Sequence, residues 1–283
     1  YSDPATSAGA TLHSQVLVKR TFEPVEAGLL ALDFYFVPGC GINAGSAPGD
    51  GDFQDFLDAL EAVFLGADIG LGEVRLFNAP TPTGGVVDSY EELSALFRMS
   101  NPGGDRTLPV FVVGDLDLSV GDVAGIAAHV PGPALAGGTG QAGVVIVSDY
   151  INSGDEGTAA SLAGHEIGHF LGLYHTTEIG GGQSDELLDT PVSCNANDCW
   201  ETNVMDPYLY GSTALTADQR YVPAGAKSCF WMSPPAIPNE IVLGVLCGLD
   251  TTCRADAGAP DVWRTDFEKY PFDGNLMFTT GTL

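Results

Sequence analysis

The chain has 283 residues, of which 45% are hydrophobic and 17% are charged, and its 10 Lys and Arg against 37 Asp and Glu give a net charge of −27. This length suits one large domain or two closely packed ones, and the apolar content excludes an acidic disordered chain. So few basic residues cannot build a surface for nucleic acid or anionic membranes, and no apolar run approaches the roughly 20 residues of a membrane-spanning helix. We therefore expect a folded protein with no nucleic-acid partner and no membrane insertion.

The first part of the chain alternates predicted strands with predicted helices. Strands are predicted where short apolar or alternating runs lie between Gly- and Pro-rich loops, and helices where apolar residues recur every three or four positions. The predicted strands cover residues 15–18, 30–37, 73–77, 108–113 and 143–147, and the predicted helices cover residues 53–64, 89–99 and 159–171. This alternation is typical of a mixed α/β fold.

The composition changes after Gly172, where Gly, Pro, Asp and Cys become frequent and the remaining periodic segment is a short helix near 216–221. Five of the six cysteines lie after residue 190, and none of them has CxxC spacing, so we expect disulfides rather than a zinc knuckle. We predict an upper subdomain, residues 1–172, and a smaller irregular, disulfide-bearing subdomain, residues 173–283.

Disulfides, few lysines and excess acid favour a secreted, extracellular or periplasmic protein. A chain that starts at Tyr1 is expected to be processed, so the missing leader does not argue against export.

One segment, from His165 to His175, contains the pattern HExxHxxGxxH. Residues four apart share a helix face, so His165 and His169 can reach one Zn²⁺ at about 2.0–2.1 Å. Gly172 permits a sharp turn that brings His175 to the same ion from another direction. Three imidazoles leave the fourth zinc position open, as catalytic zinc requires. Glu166 would stand beside the metal, take a proton from zinc-bound water and pass it to a leaving amine.

The full pattern is far more specific than its first five residues, because HExxH alone occurs by chance on many helices. In a chain with five histidines, the complete pattern has a random expectation of roughly one in a hundred thousand. A structural zinc site normally has four protein ligands, and no cysteine lies near this segment. The pattern therefore predicts a catalytic zinc site.

With the segment Asn203-Val204-Met205-Asp206-Pro207 that follows it, the pattern resembles the metzincin clan of zinc endopeptidases, whose signature ends in a Met-turn. Within the clan, residues 173–178 and 185–191 are most similar to the pappalysin family. The resemblance implies a metzincin-like α/β (α+β) fold: a twisted mixed sheet, a backing helix and an active-site helix. It also implies that Met205 forms a hydrophobic floor under the imidazoles and that 143–147, or the strand just before it, borders the cleft.

The resemblance also suggests three further site residues. Many metzincins have a tyrosine two residues after the Met-turn methionine, but Pro207 occupies that position here, so Tyr208 is the candidate for stabilising the transition state. Pappalysin-like relatives can carry structural calcium after the zinc motif, which makes Asp185 and Asp189 candidate Ca²⁺ ligands.

The predicted function is that of a secreted, monomeric zinc endopeptidase acting on protein or peptide substrates. Two alternatives remain open. One is a non-catalytic binding protein, such as an adhesin, on a metzincin scaffold, although the intact histidines and Glu166 favour an enzyme. The other is hydrolysis of a non-peptide amide by the same zinc.

Overall fold

A computed structural model of the chain describes residues 14–18, 28–79, 85–100, 107–118, 123–132, 137–178, 184–190, 203–209, 211–225, 230–231 and 240–244. The chain forms two compact units, one of residues 21–238 and one of residues 1–20 with 239–283. The second unit contains an antiparallel pair formed by the first and last strands, β1 (Ser14–Val18) and β10 (Glu240–Gly244).

The larger unit combines strands and helices in alternation. Its strands are β2 (Gly28–Phe36), β3 (Ile69–Asn78), β4 (Val86–Val87), β5 (Thr107–Val113), β6 (Asp115–Leu116), β7 (Gly125–Ala127), β8 (Val144–Val147) and β9 (Phe230–Trp231). Its helices are α1 (Gly51–Leu65), α2 (Tyr90–Phe97), α3 (Asp149–Asn152), α4 (Glu156–Leu171) and α5 (Ala217–Gly225). The predicted mixed α/β class is confirmed.

The main sheet has the order β3-β2-β5-β8-β7. Its first four strands are parallel, whereas β7 runs antiparallel to β8 and ends the sheet; β9 pairs with the first residues of β2. Strands β4 and β6 form a separate parallel pair. Both segments expected to border the cleft, residues 143–147 and the predicted strand before them, residues 108–113, therefore lie inside the sheet, and the edge is formed by β7, which was not predicted.

Alternating residues of β2 build a core on each face of the sheet. On one face, aromatic rings of β2 and α1 meet at centroid distances of 5.4–6.0 Å; the rings belong to Phe34, Phe36, Phe53 and Phe56. On the other face, Tyr35 stacks between Phe77 and Phe111 at 5.0 and 4.9 Å. Helix α1 also packs along α4, where a Cβ at Gly164 would lie 3.1 Å from Val63. The sheet and α1 thus form a packed layer against which α4 lies.

One of the six cysteines, Cys40, lies among the described residues. It is buried and free, and its thiol donates to the Ile42 carbonyl at 3.1 Å, so the expectation of paired cysteines does not hold for it. The other five cysteines lie outside the described residues, and the predicted division between residues 172 and 173 stays a prediction. None of the helices in the described ranges is long and apolar enough to cross a membrane.

Candidate metal centre

Helix α4 begins and ends at strong local signals. Asp155 accepts a hydrogen bond from the Thr158 N–H at 3.1 Å and caps the first turn. At the other end, Gly172 has φ +111°, a left-handed conformation that favours glycine. Its N–H donates to the His169 carbonyl, and the next N–H, of Leu173, donates to Gly168, both at 2.9 Å. These two bonds form a Schellman turn, which reverses the chain directly after the second histidine.

The three predicted ligands converge on one point. The Nε2 atoms of His165 and His169 each lie 3.1 Å from Nε2 of His175. Two ligands at about 2.0–2.1 Å from a tetrahedral zinc are about 3.3–3.4 Å apart, so the spacing fits a single ion. Among the described residues, no other group of three or more His, Cys, Asp or Glu side chains comes together in this way.

Hydrogen bonds fix the proton of each imidazole on the nitrogen that faces away from this point. Each Nδ1 lies beside an oxygen: those of His165 and His169 are 2.8 Å from the carbonyls of Val204 and Leu173, and that of His175 is 3.0 Å from Glu178 Oε2. An oxygen acceptor requires the proton on Nδ1, which leaves a lone pair on Nε2. Three lone pairs at this distance are accommodated by a cation between them.

Burial keeps two of these imidazoles neutral. It lowers the pKa of His165 to about 3, and the charge of His169 contributes further. It lowers the pKa of His169 to about 4, with a further contribution from the charge of His175. Neutral imidazole is the form that binds metal, so both side chains are ready to bind an ion well below neutral pH.

Glu166 lies beneath the edge strand β7, with 6% of its surface exposed. A Cβ at Gly125 would lie 2.8 Å from Glu166 Cγ and 2.9 Å from its Oε1, so the close approach requires glycine there. Burial raises the pKa of Glu166 to about 8, and a hydrogen bond from the Ala127 backbone acts in the opposite direction. A dication beside the carboxyl group would favour its charged form.

The predicted Met-turn runs beneath α4. Met205 is fully buried, and a Cβ at Gly168 would lie 2.6 Å from its sulfur, so the methionine packs on the helix between the two histidines of α4. The turn also forms backbone bonds on both sides of the site. The Val204 carbonyl accepts from His165, and the Met205 carbonyl accepts from the Thr176 N–H at 3.1 Å.

The remaining predicted residues do not join the histidine cluster. Tyr208 is 45% exposed, and its backbone N–H donates to Asp206 Oδ1 at 2.8 Å; its role stays a prediction. The two oxygens of Asp189 accept from the hydroxyl of Thr216 and the N–H of Asp218, at 2.9 and 2.8 Å. Asp189 thus binds the start of α5, which leaves its calcium role unsupported.

Asp185, the other candidate calcium ligand, lies in the turn that follows the third histidine. Its Oδ1 accepts from the Leu187 N–H at 3.2 Å and from the Thr190 hydroxyl, whereas its Oδ2 is buried without a partner among the described residues. No third ligand from His, Cys, Asp or Glu joins it in the described part of the chain. The calcium assignment at Asp185 stays a prediction.

Three residues that contact the site or its support were not predicted. Glu178, the partner of His175, could have been suspected from its place three residues after that ligand. Gln219 belongs to a Thr-x-x-Gln pattern that is typical of a capping box at a helix start. Gly125 lies in a strand of three residues, too short for any periodic signal.

Comparison with solved structures finds proteins with low sequence identity. Mature mirolysin of Tannerella forsythia, solved in complex with a cleaved peptide, is 16% identical with a TM-score of 0.47, and the match covers 70% of this chain and 90% of that one. Metalloproteinase-II from Bacteroides fragilis is 13% identical with a TM-score of 0.43, and the match covers 75% of this chain and 57% of that one.

Sequence comparison finds closer similarity over shorter segments. An extracellular metalloprotease of Colletotrichum graminicola is 47% identical over 53 residues, which cover 17% of this chain and 19% of that relative's length. Residues 104–219 match the peptidase family described by pregnancy-associated plasma protein-A, the pappalysin family. The matched segment contains both the histidine motif and the Met-turn. Over that segment, the chain is similar to the pappalysin family of metallopeptidases.

Proposed function

We propose that the chain is a secreted zinc endopeptidase that cleaves protein or peptide substrates, acts as a monomer, and uses Glu166 as its general base and acid. The observation that carries this proposal is the arrangement of the three histidines: their Nε2 atoms meet at 3.1 Å while every Nδ1 faces an oxygen acceptor. Such an arrangement is typical of a metal site with three protein ligands and an open position.

The donor set fits zinc better than calcium or magnesium. Three neutral imidazoles are nitrogen ligands, which Zn²⁺ accepts readily, whereas Ca²⁺ and Mg²⁺ prefer oxygen. Zinc held by His165, His169 and His175 would supply a Lewis acid that polarises a scissile carbonyl and acidifies water.

Glu166 is placed to move the proton in this reaction. It follows His165 directly on α4, and β7 covers its side chain, so the carboxyl group is shielded from bulk water. In its charged form it accepts a proton from the attacking water, and it then delivers that proton to the nitrogen of the leaving amine. Burial of the carboxyl group favours its uptake of a proton, which suits this shuttle.

The edge strand β7 supplies a surface for the substrate. Among the described strands, β7 pairs only with β8, so one side of its backbone is left unpaired in this part of the chain. An extended peptide can add to such an edge through main-chain hydrogen bonds, which align it without demanding particular side chains. We therefore place the substrate along β7, next to Glu166, and keep Tyr208 as the candidate that would stabilise the transition state.

A direct test is cleavage of a mixed peptide library by the purified chain, with and without a chelator, followed by addition of zinc. We expect cleavage that stops with chelator and returns with zinc, at internal peptide bonds. A chain that binds one zinc but cleaves no peptide in the library would instead support the binding-protein alternative. Cleavage of small amides in the absence of peptide cleavage would support the non-peptide alternative.

A further inference from the structure

The first turn of helix α5 contacts the Met-turn through a buried amide pair. Gln219, in the first turn of α5, is 0% exposed, and Asn203, at the start of the Met-turn, is 7% exposed. The Asn203 amide donates to Gln219 Oε1 at 2.7 Å, and the Gln219 amide donates back to Asn203 Oδ1 at 3.2 Å. Two buried amides paired in both directions fix each other's orientation.

Each of the two amides also makes a backbone contact. Gln219 Oε1 accepts from the Thr216 N–H at 3.0 Å, and the Thr216 hydroxyl accepts from the Gln219 N–H at 3.2 Å, which is a capping box. Asn203 Oδ1 accepts from the Met205 N–H at 2.8 Å and so closes the turn. The pair thus joins the start of α5 to the backbone of the Met-turn.

On its opposite side, the same turn contacts the metal centre. The Val204 carbonyl lies 2.8 Å from Nδ1 of His165, and the Met205 side chain packs against Gly168. A shift of the turn would therefore change the orientation of the first histidine and the floor under the second. A hydrogen bond to the ring nitrogen that faces away from the metal sets the orientation of a ligand imidazole.

We propose that Gln219 is a positioning residue of the metal centre, acting through Asn203 on the Val204 carbonyl and hence on His165. Nothing in the zinc motif requires a glutamine 44 residues after the third histidine. The side chain belongs to another helix and reaches the site only through the turn. The inference rests on the proposed zinc function, since it concerns how well the ion is held.

The test is the zinc affinity of Gln219→Met, measured by competition with a chromogenic chelator, together with the visible spectrum of the Co²⁺-loaded protein. We expect zinc affinity to fall by about tenfold, the low end for the loss of a group that supports a metal ligand, because Gln219 acts through two intermediates. We also expect the Co²⁺ bands to shift, because the geometry around the ion changes. Gln54→Met is the control for the loss of a glutamine in a first helical turn, since Gln54 is exposed in the first turn of α1 and its Nε2 donates to the Ala47 carbonyl before that helix, and it should change neither quantity.

A double-mutant cycle tests the route. If Gln219 acts through Asn203, zinc affinity in the combined Asn203→Ala and Gln219→Met variant should match that of Asn203→Ala alone. Additive losses would overturn the proposed route. If Gln219→Met does not fold, Gln219→Glu takes its place, since it keeps the side-chain shape and the acceptor for Asn203 while it replaces the amide donor with a carboxyl oxygen.

The outcomes separate this inference from the proposed function. Wild-type protein that binds one zinc, beside a folded Gln219 variant with the same affinity and the same Co²⁺ spectrum, would overturn the positioning role and leave the zinc function standing. Wild-type protein that binds no zinc would overturn the proposed function and this inference with it.

Discussion

Gly168 and Met205 are in such close contact that a Cβ on the glycine would lie 2.6 Å from the methionine sulfur. Gly168 stands one residue before the second histidine, and Met205 is fully buried. The helix that carries two of the histidines can therefore lie directly on the Met-turn only because position 168 has no side chain.

Gly168→Ala should destabilise the protein by about 1–3 kcal/mol, because overpacking forces Met205 out of its position. Urea unfolding measures the effect. Gly157→Ala, in the first turn of the same helix, is the matched control, since a Cβ there meets nothing within 4 Å. That substitution should stabilise the protein by about 0.5–1 kcal/mol through backbone entropy. Equal effects of the two substitutions would show that the contact with Met205 is unimportant.

Glu178→Ala should weaken zinc binding by about 10–100-fold, because the carboxylate that faces His175 Nδ1 at 3.0 Å is removed. Glu178→Gln keeps an acceptor oxygen for His175 and should reduce zinc affinity by less than Glu178→Ala does. Glu186→Ala removes the same charge from an exposed position eight residues further on and should leave zinc affinity unchanged. If the Glu178 and Glu186 variants bind zinc alike, net charge rather than the hydrogen bond determines affinity.

Arg75 and Asp33 form a bidentate pair, with both N–O distances at 2.7 Å. The Asp33 side chain is 1% exposed and that of Arg75 is 26% exposed. Removing the arginine would therefore leave a buried carboxylate that keeps the Thr107 hydroxyl, at 2.9 Å, as a donor but has lost its cation. Arg75→Ala should therefore lower the free energy of unfolding by about 3–5 kcal/mol. Asp33→Asn should lower the free energy of unfolding by less, because the partly exposed Arg75 side chain can turn toward water. The urea midpoints of the two variants test this order, and the reverse order would contradict it.

The Cys40 thiol should resist alkylation in the folded protein. Burial raises its pKa, more than its backbone hydrogen bonds lower it, so at pH 8 the thiolate fraction is smaller than in an unfolded chain. Because the folded state retains the proton to higher pH, this group's contribution to stability is lost as the pH rises past the ordinary thiol range. Mass spectrometry of the Cys40 peptide after iodoacetamide, with and without guanidinium, measures the protection. Equal labelling in both conditions would contradict it.

The helices that frame the site could be predicted because their signals are local. The apolar periodicity of 53–64 and 159–171 led to α1 and α4 with small errors at the ends, where caps such as Asp155 extend the helix beyond its apolar residues. Strand β3 is longer than the predicted 73–77, since Gly70 interrupts the apolar run while pairing with β2 continues. Strand β7 has three residues and exists only through its pairing with β8.

The same distinction applies to the candidate site. His165, Glu166 and His169 share one helix, so their spacing alone predicts that they act together. The acceptor of His165 is a carbonyl 39 residues away, and the support of that turn comes from Gln219 on a different helix. Such contacts depend on how distant segments pack, and no spacing in the sequence encodes them.

The most direct test of the account is the rate of peptide cleavage by Glu166→Ala, measured beside the wild-type chain with both proteins loaded with one zinc. The three histidines remain in this variant, so it should keep its zinc while cleavage falls by about 10²–10⁴-fold, the usual contribution of a general base. Undiminished cleavage by the zinc-loaded variant would contradict the role of Glu166 and with it the proposed mechanism.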